Sequence, residues 1–510
     1  MKRIETALAA ILLACPARAE APLSAIDWLD DPPPITVAQP LAAPLERQPA
    51  VEGSTIPEVT VMPLDAPRPD SAGLLPTATT GLPANLWAAS ATDTLVSQME
   101  RIAPDPLPAI QALYYTLLLA EAEPPADAGP DARFLKARID ALRKLGAVQP
   151  ARALIEQAGT LSEALFDDWF DLALLDGAET AACDALQDNL DLSGSYANRV
   201  YCLARAGDWS TAALTFDGAR AVGLLSETEA QLLAQYLDPE TIEESPSLAP
   251  TGDMTPLLFR LYEAAGMPLP SGNLPREYAV ADLRGLSGWK AEIEAAERLV
   301  HTGALPANRL LGLYTDQRAA ASGGVWDRVA AVQRLETALS DGDTEEIART
   351  LDTLWPAMRR QGLSVAFATL YAEDLARAGL TGTARDTAFE VALLAPAYET
   401  LAPDLAGSSD RDRFLTGLTR GEPDPALART TAERAIAAGF AATGPSRDHA
   451  GMLTGGRLGQ AILGAALQLD AAGPNQGADI TAGIATLRAV GLEETARRAA
   501  LQILLLRAAG

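Results

Sequence analysis

Apolar residues recur at helical spacing along most of the chain. Trp289, Ile293, Ala296, Leu299 and Val300 fall on one stripe. So do Val325, Val329, Val332, Leu335 and Leu339, and again Phe367, Leu370, Tyr371 and Leu375. Such stripes bury one face of a helix and leave the other to water. Each ends within a few turns at a breaker: Leu145-Gly146, Ser340 to Asp343, or Ala378-Gly379. From about Trp87 onward nothing offers the sustained alternation that a sheet requires. The pattern predicts an all-α chain of short helices.

The breakers are spaced regularly. Gly146, Gly177 and Gly207 lie 31 and 30 residues apart, each at the end of one helical stripe and the start of the next. After each glycine, small or apolar residues return at matching offsets: Ala151, Ile155 and Ala158; Ala182 and Leu186; Ala212, Phe216 and Ala219. Glycine accepts the left-handed backbone of a tight helix–helix turn. Alanine lets paired helices approach closely, and the larger residue fills the gap to the neighbouring unit. One helical hairpin cannot bury its apolar face alone, so such units stack.

The run Gly207-Asp208-Trp209-Ser-Thr-Ala212-Ala-Leu-Thr-Phe216-Asp-Gly-Ala219 resembles the second half of a tetratricopeptide repeat. Gly146 to Ala151 and Gly491 to Ala496 resemble it more weakly. Leu203 stands where that family has Tyr, and the units are shorter than the family's repeat. The resemblance covers roughly residues 130–235. It implies an α-solenoid of tetratricopeptide-like hairpins with a concave surface for protein partners. The whole-chain pattern also resembles uncharacterised secreted Ala-rich proteins of alphaproteobacteria. Some of those carry the name antifreeze glycopeptide, but no tandem Ala-Ala-Thr repeat occurs here.

Before Trp87 the pattern changes. Pro32 to Pro83 holds 12 of the 36 prolines, which remove backbone donors and disfavour helix. The stretch 20–85 therefore reads as an extended strap outside the helical body. Within it Ile26, Asp27, Trp28 and Leu29 form an apolar–acidic patch, and Val59 to Leu64 alternates like a brief strand. Each is either laid on the protein's own body or captured by a partner as a linear motif. The first 19 residues read as an export signal: Lys2 and Arg3, an apolar run from Ala7 to Ala14, then Ala17-Arg18-Ala19 before a cut preceding Glu20. That run is too short to span a bilayer, and no later stretch reaches about 20 apolar residues, so no membrane insertion is expected after cleavage. The rival is a lipobox, Leu12 to Cys15, with the mature protein anchored at Cys15. The chain then divides into a signal (1–19), the strap (20–85) and helical repeats (86–237). A Pro-rich acidic connection (238–275), middle repeats (276–400) and a C-terminal repeat region with its cap (401–510) follow.

Composition narrows the function. Of the 510 residues about a fifth are Ala and only 5% are aromatic, a core of small residues in closely packed helices. Lys plus Arg number 40 against 67 Asp plus Glu, a net charge of −27. A surface this acidic repels phosphate backbones and anionic lipid, which argues against nucleic-acid and membrane-surface partners.

Candidate chemistry is sparse. Histidine occurs only at 301 and 449, in no zinc-binding pattern. Ser446-Arg-Asp-His449 lacks a nucleophile elbow and reads as a turn or helix cap. The glycines from Gly451 to Gly459 lack the Gly-Lys-Ser/Thr of a phosphate loop and follow no strand. Asp167-Asp168, Glu243-Glu244 and Glu345-Glu346 sit at helix starts or in loops, where acids favour the helix dipole. No catalytic, cofactor-binding or metal-binding residue is assigned. The reading is a non-catalytic periplasmic scaffold or adaptor for a protein or peptide partner in the cell envelope. The alternative is a cell-wall-active enzyme of lytic-transglycosylase type, or its accessory subunit, since such enzymes use helical superhelices. The Ser322-Gly-Gly turn, with Arg318, Trp326 and Arg328 around it, suggests a polar corner for a partner.

Two cysteines remain after signal removal, Cys183 and Cys202, an even pair for an oxidising compartment. The midpoint between them falls in the turn Asp188 to Gly194. Antiparallel helices would then bring their Cα atoms within roughly 4.4–6.8 Å, the separation a disulfide needs.

Overall fold

A computed structural model describes residues 68–158, 162–238, 248–250 and 252–507. The signal, the Ile26–Leu29 patch, Val59 to Leu64 and Glu243-Glu244 lie outside the described residues. Among those described, the chain forms 25 α-helices and no strand. One isolated parallel bridge joins Leu75 to Ala120.

The helices bury the stripes that the sequence marks. Trp289–His301 buries Ile293, Ala296, Leu299 and Val300, and Val325–Asp341 buries Val325, Val329, Val332 and Leu335. Ser364–Arg377 buries Phe367, Tyr371 and Leu375. Consecutive helices pair across short turns. Between Val325–Asp341 and Thr344–Arg360, Gly342 takes φ +68° and the Asp343 carboxylate accepts the Glu346 amide at 3.0 Å. This turn thus carries both a stop signal for one helix and a start signal for the next.

Residues 65–510 form one compact unit. The segment after the connection is fastened to Arg133–Lys144 and the turn that follows it. Arg143 donates to both Glu277 carboxylate oxygens (2.6 and 3.3 Å), and Thr302 Oγ1 donates to the Leu145 carbonyl at 2.6 Å. At Gly146 an added Cβ would lie 2.8 Å from Arg276 Cγ and Leu299 Cδ2, so close approach and a φ of +82° both call for glycine.

Residues 68–85, which the sequence places in the Pro-rich strap, are part of this body. Arg138, 1% exposed, holds them there. Its guanidinium donates to the carbonyls of Leu118 (2.8 Å), Ala72 (2.7 Å) and Ala120 (3.1 Å). Asp70 Oδ1 accepts the Leu135 amide at 2.7 Å, serving the first turn of Arg133–Lys144. That helix has Ala132 (φ +53°) at its N-cap, a residue with no side-chain acceptor, so it has no cap of its own. Burial pushes the Arg138 pKa down to about 10, still charged at neutral pH.

The body also closes on itself. Pro108–Leu119 packs against Leu458–Ala471 and Glu493–Gln502, helices that come more than 300 residues later. It has no side-chain cap of its own. Instead Asp470 Oδ1 accepts the Leu107 amide at 2.9 Å and Gln502 Oε1 accepts the Ala109 amide at 2.7 Å. The seam continues at Gly459, whose amide donates to the Leu86 carbonyl at 3.1 Å. An added Cβ there would lie 2.5 Å from the Trp87 ring. The glycine run at 451–459 thus includes the gap that Trp87 enters.

Candidate interaction surface

Three hairpins carry the repeat. They pair Arg133–Lys144 with Val148–Gln157, Glu163–Asp176 with Glu179–Asp188, and Tyr196–Arg205 with Trp209–Ala221. Gly146, Gly177 and Gly207 take φ of +82°, +76° and +85° at the three turns, as tight left-handed turns demand. Every residue read from the offsets is buried: Ala151, Ile155, Ala158, Ala182, Leu186, Ala212, Phe216 and Ala219. An aromatic ladder runs through the second and third hairpins, from Phe166 and Phe170 to Tyr201 and on to Tyr236.

Cys183 and Cys202 are joined in a disulfide with a Cα–Cα distance of 5.0 Å. The bond links the second helix of the second hairpin to the first helix of the third. The segment between them turns through a 3-10 helix, Leu190–Leu192. The bridge is therefore a staple between two units rather than within one.

The third hairpin ends on a face that nothing in the described body covers. Trp209–Ala221 buries Ala212, Phe216 and Ala219 on one side. On the rest of it and the turn beyond, Trp209 (50%), Leu214 (75%), Val222 (71%) and Leu224 (53%) are exposed. Charge on this helix is limited to Asp217 and Arg220. The sequence reading missed this surface. Its signal was present: Leu214 and Val222 are off the buried stripe of Ala212, Phe216 and Ala219, so the helix is apolar on two sides.

The corner around residue 322 is built differently from its sequence reading. Arg328 turns inward and donates to both oxygens of Glu297 at 2.6 and 2.7 Å; Glu297 is 1% exposed. Tyr314 donates to the same carboxylate at 2.7 Å, and burial, with that charge adding to it, holds its hydroxyl well above the usual phenol range. Trp326 is half-buried against Trp289, ring centroids 5.0 Å apart. The turn's donors are partly used as well: the Gly323 amide reaches Asp327 Oδ1 at 2.9 Å, and the Trp326 amide reaches the Gly323 carbonyl. Arg318 lies exposed. The three residues thus split between two internal roles, an ion pair and an aromatic contact, and one solvent-facing cation.

His449 is buried, and its Nδ1 lies 3.0 Å from Ser446 Oγ and 2.9 Å from Thr486 Oγ1. Ser446 also accepts the His449 amide and opens Arg447–Thr454, so the sequence Ser-x-x-His is a helix cap. Burial lowers the imidazole pKa and keeps the ring neutral. Asp167 accepts from Ser193 Oγ at 2.7 Å, and Asp168 pairs with Arg143 at 3.2 Å and Lys136 at 3.6 Å. Glu345 and Glu346 occupy the first turn of Thr344–Arg360.

A larger charge cluster surrounds Arg143, where Asp168, Asp171 and Glu277 converge on one guanidinium. Burial pushes the Asp171 carboxyl up to about 7, with Arg143 opposing and Glu277 and Asp168 adding to the rise. Among the described residues no group of three or more His, Cys, Asp or Glu is placed to hold a metal ion. Nor is any described helix long and apolar enough to cross a membrane. Compared with known proteins, the chain matches no family model, no curated protein and no solved structure.

Proposed function

We propose that the protein is an exported helical-repeat adaptor that binds a protein or peptide partner in the cell envelope without catalysing a reaction. The observation that carries this reading is the bare face of the third hairpin. Leu214 and Val222 are each more than two-thirds exposed on a helix with two charges, in a chain whose net charge is −27. Concentrated apolar exposure of that kind marks an interaction surface. Stacked hairpins of tetratricopeptide type generally work by presenting such surfaces to other proteins. That analogy supports the class of function and names no partner. The Cys183–Cys202 bridge accords with an oxidising compartment, and the leader-like first 19 residues accord with periplasmic delivery and cleavage after Ala19.

The test is affinity capture with mature protein from envelope extract, read by mass spectrometry, together with N-terminal sequencing of the exported form. A reproducible set of partners and a chain beginning at Glu20 are expected. Failure to recover any reproducible partner would overturn the adaptor reading, and an acylated Cys15 at the N-terminus would replace cleavage after Ala19 with lipid anchoring.

A further inference from the structure

Two residues after the turn glycines of the three hairpins stand Val148, Glu179 and Trp209. In the first two hairpins that position is covered: Val148 and Glu179 are each 1% exposed. Glu179 shows how the cover is made. Tyr201 and Arg205, from the first helix of the next hairpin, reach its carboxylate at 3.3 and 3.1 Å. Trp209 occupies the same place in the third hairpin and is half-exposed. The helix that follows, Glu227–Leu237, meets it through Tyr236, with ring centroids 6.5 Å apart, and leaves Leu214, Val222 and Leu224 exposed. The next described helix, Pro256–Ala264, packs on Glu227–Leu237 and back on Glu163–Asp176. Among the described residues, the outer face of Trp209–Ala221 therefore keeps Leu214 and the adjoining Val222 and Leu224 exposed.

Terminal repeats of soluble arrays ordinarily present a polar outer side. Here the outer side combines large apolar residues with small ones. Ala213, Gly218 and Ala221 are exposed between and beside Leu214 and Val222, and an added Cβ at Gly218 would meet nothing. Large residues beside small ones form the ridges and grooves into which another helix seats, at the interaxial distances of 8–10 Å usual for helix pairs.

Charge selects among possible occupants. The exposed charges on and next to this helix are Asp208, Asp217 and, at the start of the following helix, Glu227, against Arg220. The nearby Arg205 is committed to Glu179, and Arg199 to the carbonyls of Leu190 and Ser193. A second copy of this acidic chain would set carboxylate against carboxylate. A helix with Lys or Arg beside its apolar stripe meets these carboxylates with opposite charge.

We propose that this face binds an amphipathic, basic-flanked α-helix of a partner protein, its apolar stripe seated on Leu214, Val222 and Leu224, stacked as a further helix of the repeat. The proposal rests on the adaptor reading and specifies which partner chemistry that reading requires. The basic flanks pair with Asp217 and its neighbours, so binding weakens as salt rises.

The test uses two fluorescent helical peptides with the same Leu/Ala stripe, one flanked by Lys and one by Glu, titrated with the intact protein and followed by anisotropy. The Lys-flanked peptide is expected to bind, and the Glu-flanked one at least about tenfold more weakly. Leu214→Glu lowers affinity for the Lys peptide by about tenfold or more, while melting within about 2 °C of the parent, because Leu214 is exposed. Asp217→Lys shifts preference toward the Glu peptide. Equal binding of both peptides, binding of neither, or indifference to Leu214→Glu would overturn the proposal. A concentration-dependent dimer that Leu214→Glu abolishes would overturn it in favour of a second copy of the chain. Envelope partners captured equally by the parent and by Leu214→Glu would remove this face from the adaptor while leaving the adaptor standing. Capture of nothing by the parent would remove the adaptor itself.

Discussion

Two helices of the described body, Pro108–Leu119 and Trp209–Ala221, have their faces and unpaired groups treated in opposite ways. At the seam, Pro108–Leu119 has its first amides capped by Asp470 and Gln502 and its flank covered by the C-terminal helices. At the third hairpin, Trp209–Ala221 keeps its own Asp208 cap to the Thr211 amide and leaves its outer face bare. Both helices are apolar, so hydrophobicity alone does not separate them. The difference is whether the helix can satisfy its ends locally. Pro108–Leu119 cannot, and is completed by residues more than 360 positions away. Trp209–Ala221 can, and is secured by a neighbouring disulfide instead of by cover. A chain that closes one end and staples the other keeps the second available.

The largest effect is expected on the closed side. Arg138→Ala would leave the Leu118, Ala72 and Ala120 carbonyls without their donor and free residues 68–75 from the body. A loss of about 3–5 kcal/mol is expected, read by chemical denaturation. On the stapled side, the double substitution Cys183→Ser with Cys202→Ser should cost about 3 kcal/mol, the loop entropy of a bridge this size. Hydrogen exchange should then show the third hairpin opening before the seam, and two titratable thiols in denatured, unreduced parent protein would dismiss the bridge.

Gly459→Ala places a methyl group against the Trp87 ring and the Leu86 carbonyl, at 2.5 and 2.8 Å. Overpacking of that kind costs about 1–3 kcal/mol, and near-ultraviolet dichroism should report the displaced tryptophan. Smaller still is the titration of Asp171, which sharpens the contrast between internal charge and bare surface. Its folded pKa lies above its unfolded value, so its stabilising contribution is complete below about pH 4 and declines as pH rises through about 7. Asp171→Asn should flatten stability between those limits and raise it at pH 8, read by chemical denaturation across that pH range. The smallest effect on stability belongs to the open face. Leu214→Glu should stay within about 0.5 kcal/mol of the parent, a result that calorimetry can check. A larger loss would mean that the face is covered in the native protein.

Much of the first hairpins was legible because it is local. The turn glycines and the alanines behind them act within a few residues, so spacing alone placed them. Cys183 and Cys202 were legible for the same reason, since one turn separates their helices. The ion pair of Arg328, which the sequence places in a polar corner for a partner, was not legible because Glu297 is 31 residues away and becomes its neighbour only when Trp289–His301 packs beside Val325–Asp341. Residues 68–85 look like more of the proline strap, yet they are held by a guanidinium from Arg133–Lys144. The bare third hairpin was also hidden. An exposed Leu and a buried Leu are the same letter, and which one Leu214 is depends on where the following helices go.

The sequence by itself determined the elements: short all-helical hairpins, their left-handed glycine turns, the disulfide and the acidic charge. Each follows from propensity, periodicity or chain geometry over distances of about 30 residues or fewer. Only the tertiary structure decided closure, burial of charge and exposure of the third hairpin. Those depend on how helices hundreds of residues apart satisfy one another's unpaired amides and carbonyls, and no local pattern encodes a partner at that range.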